Sequence, residues 1–199
     1  VDFDVNFVNM DNLIARNVSY LDLNWELYTP GLEKSPESEN DYTTIAYNFT
    51  NDEVEDLRAR GKDENSEEIN TKLKWVAFKQ QFFSSILVAD DNFSNGYLEF
   101  ESVVEQSNKY LKRLTAEIGV PYMGGNQVKS GFQFYFGPNH YNTLKSYDKD
   151  FEGIVPLGWG IFGWVNRFLI IPTFNFLNRY INNYGIIILL LTIFIKLIV

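Results

Sequence analysis

Hydrophobic and polar positions alternate from the first residue: Val1, Phe3, Val5 and Phe7 share one face of an extended segment, and Asp2, Asp4 and Asn6 the other. The pattern returns in LDLNWEL, where Leu21, Leu23, Trp25 and Leu27 line up, and in SGFQFYFG, where Phe132, Phe134 and Phe136 share a face. TTIAYNF, KLKWVAFKQ, FFSSILVA and GYLEFESVVEQ read as further strands. Many short alternating strands separated by turn residues predict an antiparallel β-sandwich. No internal repeat of fixed length is visible.

Two polar stretches interrupt this texture. PGLEKSPESEND, from Pro30 to Asp41, combines turn formers and acids without periodicity and reads as a loop. The stretch from Asn51 to Asn70 is denser in charge, with a short helical turn expected at Glu53–Arg60. Between them these stretches are either a solvated loop pair or an acidic docking surface. MGG at Met123–Gly125 reads as a turn, and GPNHYNTLKSY as a short helix with Pro138 at its first position.

Beyond Gly158 the period changes to that of a helix. At about 100° per residue, Arg167, Asn175, Asn178, Arg179 and Asn182 gather in one arc. Val165, Leu169, Ile170, Phe174, Phe176, Leu177, Tyr180 and Ile181 fill the wider opposite arc. Phe168 and Ile171 intrude on the polar side, and Pro172 is expected to kink or break the helix. A broad aromatic face opposite Arg and Asn fits a helix lying in a membrane interface, with Trp159, Trp164, Arg167 and Arg179 as its anchors; a core helix of a soluble domain is the other reading.

Asn182, Asn183 and Gly185 end that pattern, and Ile186 to Val199 is apolar apart from Thr192 and Lys196. The run is shorter than the roughly 20 residues that span a bilayer core, and reads as the first part of a transmembrane helix. Lys196 follows the start of the run by about ten residues, or about 15 Å of helix, near the middle of a hydrocarbon layer of about 30 Å. A charge at that depth costs about 2.5–3.5 kcal/mol on insertion scales and calls for a wet cavity. Lys196 is therefore either a working charge or a flanking anchor, and Thr192 lies one turn earlier on its face.

Composition narrows the function. The 199 residues hold no cysteine, which excludes a disulfide framework, a thiolate metal site and a cysteine nucleophile. The net charge is −9, and from Phe151 onward the charged residues are Glu152, Arg167, Arg179 and Lys196, so the acidity lies in the first 150 residues. An acidic body argues against nucleic acid, while the basic apolar tail fits a membrane surface. The single histidine, His140, reads as a surface or structural residue, and no phosphate loop, metal-spaced cluster or nucleophile elbow is present. No catalytic residue, metal or cofactor is expected.

The tail NNYGIIILLLTIFIKLIV resembles the start of the first conserved-core transmembrane helix of the YidC/Oxa/Alb insertase family, with Asn183-Tyr184-Gly185, Thr192 and Lys196 in the matching places. GWGIFGWVNRFLIIPTFNFLNRYI is similar to that family's interfacial helix. FYFGPNHYNTLK and WVAFKQQFF are similar to segments of the large periplasmic domain of its Gram-negative members. The resemblance covers roughly Trp75 to Val199.

The resemblance implies a mainly β fold, a periplasmic β-supersandwich with short C-terminal helices. Residues 1–150 would be that domain, truncated at its N-terminus, 151–183 the interfacial helix region, and 184–199 the start of the transmembrane helix. It implies a multi-pass protein of the bacterial inner membrane that inserts and folds client transmembrane segments, alone or with the Sec translocon and its accessory subunits. Lys196 and Thr192 would line a hydrophilic, positively charged groove that receives the client's polar segment, and ribosome contact would come from cytoplasmic parts beyond Val199. No bond is made or broken in such a role. Lys stands where the family usually has Arg, so the groove keeps its charge without a bidentate fork for carboxylates. The rival reading is a membrane-anchored carbohydrate-binding or scaffold β-sandwich, in which Glu99 and Glu101 on one strand face could serve.

Overall fold

The computed structural model describes residues 1–51, 53–104 and 109–198, the side chains of Asp11 and Ile198 excepted. In chain order the main elements are β1 (Asp2–Val8), β2 (Tyr20–Pro30), α1 (Pro36–Tyr42), β3 (Thr44–Phe49), β4 (Val54–Asp56), β5 (Glu64–Ile69), β6 (Leu73–Lys79) and β7 (Phe83–Phe93). Then come β8 (Gly96–Ser102), β9 (Tyr110–Pro121), β10 (Gln127–Pro138), α2 (Tyr141–Lys145), α3 (Gly160–Val165), α4 (Ile171–Asn178) and α5 (Tyr184–Ile198). The chain divides into two compact units, Val1–Ile154 and Val155–Val199.

The first unit is mainly β: a six-stranded sheet in the order β1-β10-β7-β6-β3-β4 faces a four-stranded sheet in the order β2-β9-β8-β5. All neighbouring strands run antiparallel. Alternation places Val76 and Phe78 of β6, Leu98 and Phe100 of β8, and Leu114, Ala116 and Ile118 of β9 between the sheets, all buried. Trp25 of β2 stacks on Phe78 across the gap with ring centroids 3.8 Å apart. Each such side chain removed from water contributes about 1.5–3 kcal/mol before the entropy of ordering it.

The outer face of the larger sheet is covered by its own downstream chain. Trp75 donates its indole N–H to the Lys149 carbonyl at 2.8 Å and meets Phe151 edge-on at 5.7 Å. Tyr135 meets Tyr147 in the same way at 5.2 Å. α2 and the short turn Phe151–Ile154 are thereby fastened over β6 and β10. At the β9–β10 connection, Gly124 and Gly125 take φ of 70° and 122°, which side chains resist, so MGG is the expected turn.

Five expectations are corrected. The acidic stretch Pro30–Asp41 carries α1, because Ser35 supplies an N-cap, Pro36 suits the first turn and Glu39 is held by the backbone. The helical turn expected at Glu53–Arg60 is instead the strand β4, paired along β3 through Val54, Glu55 and Asp56. Pro138 ends β10 rather than starting α2, which begins at Tyr141 behind His140. β5 and β9 were not expected as strands; β5 lies in the charged stretch because only one face of a sheet must be apolar. The strand expected over GYLEFESVVEQ ends at Ser102, and its Glu105 and Gln106 lie outside the described residues.

In the second unit, α3 passes through a π-helical turn, Asn166–Ile170, into α4. Pro172 does not end the helix: the widened turn just before it takes up the missing amide donor and the bulk of the ring. The side chain of Asn183 accepts from the backbone N–H groups of Gly185 at 2.9 Å and Ile186 at 3.3 Å, and so caps α5.

Candidate functional site

The interface and groove residues singled out from the sequence, Trp159, Trp164, Arg167, Arg179, Thr192 and Lys196, all fall in the second unit. Trp159 and Trp164 are 83% and 62% exposed, and Arg167 and Arg179 are exposed as well. The arc expected to be apolar is divided. Of that arc, Val165, Leu169, Ile170, Phe174, Leu177 and Ile181 are half-buried and Phe176 and Tyr180 exposed; Phe162 and Phe168, outside the arc, stand in the open with the tryptophans. A surface of this size rich in Trp, Phe and Tyr is costly in water, and it carries its guanidinium groups within it. Trp164 and Phe168 lie 5.6 Å apart on successive turns, and Phe176 and Tyr180 5.3 Å apart.

α4 and α5 are in contact, with Phe174 and Tyr184 rings 5.8 Å apart. Ile187 and Leu191, one turn apart on α5, are buried, while Ile188, Leu189, Ile193 and Leu197 are exposed. At 100° per residue, Lys196 lies about 180° from Ile187 and about 140° from Leu191. Lys196 and Thr192 thus share the face of α5 that turns away from its buried one, and both are exposed. The Thr192 hydroxyl donates to the Ile188 carbonyl at 2.8 Å, which satisfies its proton within the helix and leaves its lone pairs open. α5 has 15 residues, about 22 Å of helix, and no helix among the described residues is long and apolar enough to cross a membrane. Val199, the last residue of the apolar run, lies outside the described residues.

The sandwich offers less chemistry. Glu99 and Glu101 lie on the outer face of the smaller sheet, where Glu101 meets Arg113 at 3.0 Å. His140 is exposed at the start of α2, its Nδ1 2.9 Å from the Thr143 hydroxyl. No cluster of three metal-ligating side chains occurs among the described residues. Two interior features escaped the sequence reading. Lys112, fully buried, donates from Nζ to the carbonyls of Asn40 at 2.9 Å and Thr43 at 3.0 Å, with Nζ 4.1 Å from the Phe100 ring centroid. Burial lowers its pKa from 10.5 to about 8, against the opposing pull of Asp41 and Asp63. Asn139 donates its amide to the Gln80 carbonyl at 2.8 Å and accepts from the Ser84 hydroxyl at 2.7 Å, clamping the β6–β7 hairpin. A lysine at an inward strand position was the visible signal for the first; nothing marked the second.

Fold and surface together define a two-sheet antiparallel sandwich continuing into a helical unit with exposed aromatic, apolar and cationic side chains. The chain belongs to the YidC periplasmic domain family, whose model matches residues 1–171. It is similar to the membrane protein insertase YidC of Parabacteroides distasonis, 37% identical over 206 residues that cover 100% of this chain and 32% of that protein. It is likewise similar to the membrane protein insertase YidC of Porphyromonas gingivalis, at 40% identity over 96% of this chain and 31% of that protein. The Bacteroides fragilis protein of the same name is 33% identical over 100% of this chain and 33% of its own length. The chain therefore spans about a third of the curated relatives it matches.

Proposed function

We propose that this chain is the periplasmic domain and the beginning of the membrane core of a bacterial inner-membrane insertase, which binds client segments rather than catalysing a reaction. Its family and its relatives' shared name, membrane protein insertase YidC, support the reading. The observation that carries the mechanism is the Thr192–Lys196 face of α5, turned away from the buried Ile187–Leu191 face. With the rest of the membrane core around it, that face lines a wet groove. A cation there lowers the cost of bringing a polar or acidic client stretch out of bulk water, while the client's apolar helix moves into lipid. Trp159, Trp164, Arg167 and Arg179 hold the preceding helix in the bilayer interface, aromatic rings at headgroup depth and guanidinium groups on lipid phosphates. Nascent membrane proteins and the bilayer are the partners; the Sec translocon shares some clients, and ribosome contact belongs to cytoplasmic parts outside these residues.

An insertion assay of the full-length protein tests the groove. Lys196→Ala and Lys196→Glu are expected to impair clients with acidic translocated segments, the glutamate more strongly, at unchanged protein levels. Normal insertion of every client by both variants would remove Lys196 from the mechanism.

A further inference from the structure

β7 leaves its neighbour for part of its length. Val88 pairs with Trp75 of β6 and Phe93 with Leu73, so the chain from Val88 to Phe93 runs beside only three residues of β6. Asp90, Asp91 and Asn92 have no partner in the register with β10 either, which starts at Ala89. Asn92 turns with a left-handed φ of 61°. Bulges bend a strand out of its sheet and recur beside binding sites, and a side chain held at positive φ is kept there by its surroundings.

The displaced segment borders a pocket of about 440 Å³ between the end of β7 and the start of β10. Its floor is core, with Ala89, Val120 and Phe132 all buried. Met123 of the β9–β10 turn lines its mouth and is 94% exposed. Nothing from β1 or β2 enters its wall among the described residues.

Three polar groups of this pocket stand without partners. Ser130 shares the inward face of β10 with Phe132 and is only 8% exposed, and its hydroxyl makes no hydrogen bond among the described residues. A buried hydroxyl left unpaired is costly, and a ligand that meets it removes the cost. At the mouth, Lys72 and Asp91 are exposed and make no ion pair, with each other or with any other described residue. The charges around them are paired, Lys129 with Asp4 at 2.9 Å and Lys74 with Asp150 at 3.8 Å.

Size and charge select the ligand. At about 30 Å³ for each non-hydrogen atom, the volume holds a molecule of about fifteen such atoms and excludes a diacyl lipid. A wholly apolar molecule would leave the Ser130 hydroxyl unpaired. A molecule with one charge would be attracted by one of Lys72 and Asp91 and repelled by the other.

We propose that this pocket binds a small zwitterion with an apolar body, an α-amino acid with a large apolar side chain. Its carboxylate meets the Lys72 ammonium and accepts from the Ser130 hydroxyl, its ammonium meets Asp91, and its side chain lies on Ala89, Val120 and Phe132 beneath Met123. Such a site goes beyond client insertion and does not depend on it.

Equilibrium dialysis of the purified full-length protein against labelled L-phenylalanine and L-leucine tests the proposal. Saturable binding is expected, at least tenfold weaker for phenylacetate and for phenethylamine, each of which keeps one charge only. Lys72→Met and Asp91→Asn, at exposed positions that leave the fold intact, are each expected to weaken binding about tenfold, and Ser130→Ala by a similar factor. No saturable binding at millimolar concentration would overturn the proposal. So would equal binding of the singly charged analogues, or binding that all three variants leave unchanged. Insertion assays on the same variants read a separate activity, so the two readings fail separately.

Discussion

Lys112 is the residue on which the end of the sandwich turns. Its ammonium closes the C-terminal carbonyls of α1, while the buried Glu39 carboxylate accepts from the backbone N–H groups of Leu32 at 3.0 Å and Glu33 at 3.0 Å. One buried cation and one buried anion thus fasten α1 from opposite ends, each satisfied by backbone dipoles. The charge is nonetheless costly: a fall from 10.5 to about 8 corresponds to about 3 kcal/mol against the charged form. Because the folded-state value lies below the unfolded one, the folded protein binds fewer protons between them, and this group's contribution to stability rises as pH goes from about 8 to 10.5. Urea unfolding across that window is expected to show the rise in the native protein and its loss in Lys112→Met. The difference between the two curves isolates this group from the other titrating residues. Asn139 acts by geometry instead. Asn139→Ala removes three hydrogen bonds between its side chain and the β6–β7 hairpin and strands the partners, at an expected cost of about 2 kcal/mol in chemical denaturation.

Elements were legible in the sequence wherever one face had to be apolar. β1, β2 and β10 announce themselves through alternation, β6 through its apolar run from Trp75 to Phe78, and α5 through an apolar run broken only by Thr192 and Lys196 behind the Asn183 cap. β5 and β4 did not. Their residues are mostly Glu, Asn, Asp and Ser, and they are strands because β8 and β3 offer open edges to pair with, a tertiary cause that local pattern does not carry. α1 was hidden for the opposite reason, since its caps are local but its helix has too few apolar positions to show a period. At the site, the aromatic and cationic residues were readable, yet the sorting of the apolar arc into half-buried and open parts depends on the packing of α4 and α5. The cover over the larger sheet gives this scale its prediction. Phe151 is fully buried and touches Trp75, Tyr135 and Tyr147. Phe151→Ala is expected to cost about 3–5 kcal/mol, and to release the Trp75 indole so that its fluorescence shifts to the red. A shift in stability without the spectral change would place the loss elsewhere than at the Trp75 contact.

At the scale of the whole chain, charge is divided between the two units. The sandwich is acidic. The outward residues of its smaller sheet include Asp22, Glu26, Glu64, Glu68, Glu99, Glu101 and Glu117, with Arg113 bridging Glu26 at 3.8 Å and Glu101 at 3.0 Å. The helical unit carries only cations, Arg167, Arg179 and Lys196. A bilayer with anionic headgroups repels the first and attracts the second, so the field and the exposed rings act in the same direction on how the chain meets a membrane. The two contributions separate in a vesicle flotation experiment. Each interfacial arginine adds about 1 kcal/mol on an anionic surface, so replacing both Arg167 and Arg179 by Gln is expected to weaken binding to anionic vesicles by about thirtyfold and to zwitterionic ones hardly at all. Replacing Trp159 and Trp164 by Ala removes apolar area and aromatic anchoring, and is expected to weaken binding to both compositions alike. If the arginine variant lost affinity equally on both, its side chains would be holding the helix together rather than meeting phosphate. If the tryptophan variant lost none, the exposed aromatic surface would belong to a protein contact instead of the bilayer.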